Sequence, residues 1–171
     1  MNRRATLTLL TAALASASFL NWPARADEPL PAPQRHQVAS PNGRMLAVSD
    51  PTMGTKIIEA GSGKELWSMP GWYRWLFVSN DGRHVATGYN GMNLIPQNFS
   101  PELVLITFWQ DGQKMREVPV RDLAPNKSTL TRTVSHYHWG SIEGVSNNDE
   151  LLVTRADGRK FRFNMATGAQ Q

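Results

Sequence analysis

Ser40-Pro41-Asn42-Gly43-Arg44-Met45-Leu46-Ala47-Val48 and Ser79-Asn80-Asp81-Gly82-Arg83-His84-Val85-Ala86-Thr87 follow one pattern. Each opens on serine, places glycine three residues later and arginine after it, and runs into small and apolar residues. Asn-Gly and Asp-Gly supply the positive φ that a tight hairpin needs. The stretch therefore predicts a turn followed by a strand. A weaker third copy is Ser146-Asn147-Asn148-Asp149-Glu150-Leu151-Leu152-Val153-Thr154.

Each copy is followed by a second module. These are Lys56 to Trp67 with Gly61-Ser62-Gly63, Val104 to Lys114 with Asp111-Gly112, and Lys160 to Gly168 with Thr167-Gly168. From leading serine to closing glycine the distances are 23, 33 and 22 residues (40 to 63, 79 to 112, 146 to 168). The excess in the middle copy matches the loop 92–101. The serines at 40 and 79 are 39 residues apart, close to the ~40-residue period of four-stranded propeller blades. The next step, from 79 to 146, is 67 residues, so the segment 112–140 is expected to hold an insertion or a degenerate unit.

The two leading strings resemble the strand-opening turns of WD40-like and TolB-like β-propeller repeats. The tail Glu59-Ala60-Gly61-Ser62-Gly63-Lys64-Glu65-Leu66-Trp67 is similar to that of quinoprotein-like blades. The chain departs from these patterns in lacking a Gly-His…Trp-Asp pair and in carrying Glu59 where the tail has aspartate. The resemblance implies an all-β fold of antiparallel sheets. A ring of four or more blades needs ~160 residues or more, and this chain has room for about three. The expected architecture is a partial or open propeller, with a β-sandwich of similar hairpins as the alternative. An open sheet edge would favour a homo-oligomer or a partner strand.

Three regions are expected in the 171 residues. Residues 1–26 read as a cleaved signal peptide: Arg3-Arg4, an uncharged run from Ala5 to Leu20, then Ala24-Arg25-Ala26. The apolar run is shorter than the ~20 residues of a membrane-spanning helix. Arg3-Arg4 with Leu7 resembles a twin-arginine signal, but Thr6 and Thr8 fit a general secretory signal equally well. Residues 27–35 hold three prolines and read as an extended linker. Residues 36–171 form the β-repeat domain. Export predicts a periplasmic or secreted protein with no stable membrane anchor.

Lysine and arginine total 18 against 14 acids, and Arg3, Arg4 and Arg25 fall in the leader. The remainder is nearly neutral, which argues against nucleic acid as a partner. The absence of cysteine excludes disulfide scaffolding and thiol chemistry.

Candidate sites are few. His136 and His138 alternate within Val134-Ser135-His136-Tyr137-His138-Trp139, so in a strand they share a face and suit Cu or Zn. The methionines after Met1 are scattered and read as core filling. Trp72 and Trp139 both stand seven residues before a repeat serine. Together with Arg74 and His138 they are the candidate ligand-binding residues. No Gly-x-Ser-x-Gly elbow, phosphate loop or assignable carboxylate pair is present. The expected function is therefore an exported, non-catalytic protein that binds a protein or small ligand, more a binder than an enzyme. The alternatives are a periplasmic metal-binding protein using His136 and His138, and a hydrolase-type enzyme.

Overall fold

A computed structural model describes residues 29–171. The leader expected over 1–26, with linker residues 27 and 28, lies outside the described residues. The first blade runs β1 (His36–Ala39), β2 (Met45–Asp50), β3 (Gly54–Glu59) and β4 (Glu65–Met69), each antiparallel to the next. The second is β5 (Leu76–Val78), β6 (His84–Gly88), β8 (Val104–Gln110) and β9 (Gln113–Pro119). The third is β12 (Gly140–Val145), β13 (Glu150–Arg155) and β14 (Lys160–Asn164). Outside β14, Phe163 bridges Gln170, and Gln171 N–H donates to Arg162 O at 2.9 Å.

This sequential antiparallel order is that of propeller blades, and the three stack as an open series. Ala47, Ile57 and Met69 of the first blade meet Leu76, Val78 and Val85 of the second. The opposite face of the second blade, through Ala86, Ile106 and Phe108, meets Ile142, Val153, Phe161 and Phe163 of the third. A sandwich has two sheets; here the middle sheet is covered on both sides. Burial records this position. His84–Thr87 are buried without a break, whereas β13 alternates strictly between partly and fully buried residues.

The repeat turns explain their own sequence. Ser79 Oγ accepts His84 N–H at 3.1 Å, and Asp81 Oδ1 takes Ser79 O–H at 2.5 Å and Arg83 N–H at 2.9 Å. Ser40, Asn42, Arg44 and Met45 repeat this cage. Gly43 and Gly82 occupy the left-handed position with φ of 71° and 70°. In the third turn that position is Asp149, with φ 56°. For a residue with a Cβ this costs roughly 1 kcal/mol. The carboxylate offsets the cost by accepting Asn80 N–H at 2.8 Å. Asn80 also donates to Asn147 O and receives Asn42 N–H. One rim is thus laced turn to turn across all three blades.

The two irregular spacings prove to be a single structure. The middle-blade excess contributes β7 (Leu94–Pro96). The long step contributes α1 (Val120–Leu123), a 3₁₀ turn (Lys127–Thr129), β10 (Thr131–Arg132) and β11 (His136–His138). These form a small sheet in the order β10-β11-β7, with His136 opposite Pro96 and His138 opposite Leu94. Ile95, Leu123 and Leu130 anchor it in the core shared by the second and third blades. Lys127 Nζ stands 5.3 Å from the Phe99 ring centre and 5.9 Å from that of Tyr137.

Candidate binding rim

Residues 29–35 form neither helix nor strand. They run as an extended strap into β1, as three prolines in close succession dictate. Trp72 Nε1–H donates to Gln34 O at 2.8 Å, and Arg74 Nη2–H donates to Pro31 O at 2.6 Å. The Arg74 guanidinium lies 4.8 Å over the Trp72 ring, and His36 meets that ring edge-on at 5.8 Å. His36 Nε2 reaches Tyr73 O at 2.8 Å, so this nitrogen carries the proton. Arg74 Nε is buried with no hydrogen-bond partner among the described residues.

At its other end the strap's Pro29 and Leu30 form one wall of a groove of about 300 Å³. Tyr89, Gly91, Leu94, Pro96, Ser135 and His136 form the groove's remaining walls. The strap therefore joins the β4–β5 connection to the insert sheet.

Of the residues expected from sequence, Trp72 and Arg74 hold the strap and His136 lines its far end. His136 Nδ1 is 2.8 Å from Ser135 Oγ. His138 shares its strand face and is half-buried; burial pushes its imidazole pKa down, so it is neutral at pH 7. Among the described residues no group of three or more His, Asp or Glu side chains stands together as a metal site would require.

Trp139 sits elsewhere. It is 1% exposed, meets Trp75 edge-on at 6.0 Å and donates Nε1–H to Met92 O at 2.7 Å. Counting back from the repeat serines pairs it with Trp72. But β12 has six residues and a bulge at Ile142/Gly144, while β5 has three, so the count slips. Trp75 is the residue that meets it. Sequence reasoning also missed His36, Tyr89 and the strap as an occupant. The available signal was Pro29-Leu30-Pro31-Ala32-Pro33 in a chain that also carries Trp72-Tyr73-Arg74-Trp75.

No protein-family model matches the chain, and no curated protein matches it. Among solved structures it is similar to one described as RRP9 WD40 repeats, at 15% identity and TM-score 0.42, over 79% of this chain and 36% of that one. A structure of U3-55K gives the same identity, score and coverage of this chain, over 37% of its own. The likeness is one of blade architecture. This chain spans little more than a third of the length of either.

Proposed function

We propose that this protein is an exported, non-catalytic β-repeat scaffold that binds protein partners, and that its rim groove takes an extended, proline-containing peptide. The observation that carries the reading is the pair of side-chain donors spent on backbone carbonyls, Trp72 on Gln34 and Arg74 on Pro31. Contacts to carbonyls read an extended backbone, and aromatic flanks suit proline, as in polyproline recognition generally. The strap fills in cis the place that a partner segment fills in trans.

The test uses a fluorescent peptide of the strap sequence, Pro29 to Arg35, and measures anisotropy. A tethered strap competes at an effective concentration on the order of millimolar. The wild-type chain is therefore expected to bind at least about tenfold more weakly than a Pro31→Gly/Pro33→Gly chain whose strap is loosened. Adding Trp72→Ala to the loosened chain removes binding. A loosened, folded chain that ignores the peptide refutes the reading.

A further inference from the structure

A second concavity lies on the face of the middle blade turned toward the first, beyond the reach of that blade's core residues. Its volume is about 160 Å³. Its floor is a polar row across three strands: Thr87 of β6 stands opposite Thr107 of β8, which stands opposite Glu117 of β9. Aromatic side chains flank that row, Trp109 and Tyr73 at one end and Tyr89 at the other. Trp109 is fixed: Nε1–H donates to Thr87 Oγ1 at 3.0 Å, and its ring stands 6.0 Å from Tyr73, whose hydroxyl donates to Pro70 O.

The polar groups are left with capacity. The hydroxyl of Thr107 and the side-chain amide of the neighbouring Asn90 have no hydrogen-bond partner among the described residues. Glu117 Oε1 is held by Lys114 Nζ at 2.7 Å, which balances its charge and leaves Oε2 open.

These features select a ligand class. An apolar ligand would leave a carboxylate, a hydroxyl and an amide unpaired, which is costly. An anion meets Glu117 first, and a cation finds that charge already compensated. A pyranose ring has one apolar C–H face for an aromatic wall and a rim of hydroxyls that both donate and accept. We propose that the cleft between Tyr73, Trp109 and Tyr89 is a binding site for a neutral saccharide, with Asn90, Thr107 and Glu117 bonding its hydroxyls. Among the described residues Glu117 is the single carboxylate lining the cleft, so the site binds a sugar without the acid pair that glycoside hydrolysis uses. Tyr89 also walls the strap groove, but the strap's hydrogen-bond donors, Trp72 and Arg74, lie outside the cleft.

The test titrates the full chain with cellotriose, maltotriose and chitobiose, and with choline as the cationic control, by calorimetry and by amide chemical shifts. At least one saccharide is expected to bind with a sub-millimolar Kd and to shift amides within residues 87–90 and 104–109. Thr107→Val and Asn90→Ala are each expected to weaken it about tenfold. Asn90 is exposed and Thr107 half-buried, and circular dichroism checks the fold. The shift map on the unsubstituted chain decides the case if either variant fails to fold. Silence toward all three sugars, shifts confined to other residues, full binding by the double variant, or binding of choline alone overturns the inference.

Discussion

The blades and the insert sheet are both antiparallel β-structure, yet they are held by different means. In the blades, neighbouring strands follow one another in the chain, except that β7 intervenes between β6 and β8, and the Asx-glycine turns at Gly43, Gly82, Gly112 and Gly158 set four of their eight registers. In the insert sheet, β7 and β11 are joined only after the whole outer half of the middle blade has been built. Its register comes from what it rests on: Ile95 and Leu130 below, Trp139 bonded to Met92 O, and Lys127 between Phe99 and Tyr137. The blades thus rest on pairing between strands close in the chain plus packing, whereas the insert adds to one local hairpin, β10–β11, a long-range pairing of β11 with β7 that packing holds in place.

The largest test of that contrast is Phe108→Ala. Phe108 is fully buried against Phe163 between the second and third blades. Its loss should cost ~3–5 kcal/mol and lower the midpoint of one global denaturant transition. Ile95→Ala, also fully buried, should cost ~2–5 kcal/mol, but the loss should be local. Hydrogen exchange should quicken in β7, β10 and β11 while β6 and β8 stay protected. Equal quickening everywhere would erase the distinction between the two regions.

A smaller effect separates the third turn from the first two. Asp149→Ala keeps the left-handed strain and removes the acceptor for Asn80, an expected loss of ~1–2 kcal/mol. Asp149→Gly removes both strain and acceptor and should fall nearer neutral, within about 1 kcal/mol. Denaturant melts of the two variants check the order, and an alanine variant as stable as the glycine one breaks it.

The smallest effect is electrostatic. Arg155 donates to both oxygens of Asp157, at 2.9 and 2.6 Å, and to Leu123 O, tying the third blade to α1. These bonds lower the Asp157 pKa to about 2 from 3.8. A carboxylate lowered by folding stabilises the fold above its unfolded value, so its contribution should fade as pH drops from 3.8 toward 2. The difference in stability between wild type and Asp157→Asn, followed against pH, should shrink over that window. A constant difference would contradict the assignment.

Much of this was legible in the residues. The turn pattern gave all three blade openings, and the uneven spacing correctly located both insertions. Trp72 is legible because it stands seven residues before a repeat serine, with Arg74 two residues on. Trp139 was misplaced because counting along the chain cannot register a bulge. The cleft was illegible because Thr87, Thr107 and Glu117 are unremarkable strand residues, far apart in sequence, until three strands set them side by side.

By itself the sequence determined the local units: where the chain turns, which segments extend, and that about three blades repeat. Those outcomes depend on φ, side-chain alternation and hydrogen bonds spanning a few residues. Only the tertiary structure decided that the two insertions pair, that the proline strap lies against Trp72 and Arg74, and that Trp139 is core. These are contacts between segments roughly forty residues apart, such as His136 with Pro96 and Trp72 with Gln34. Such contacts depend on how whole sheets stack, and no short pattern encodes that.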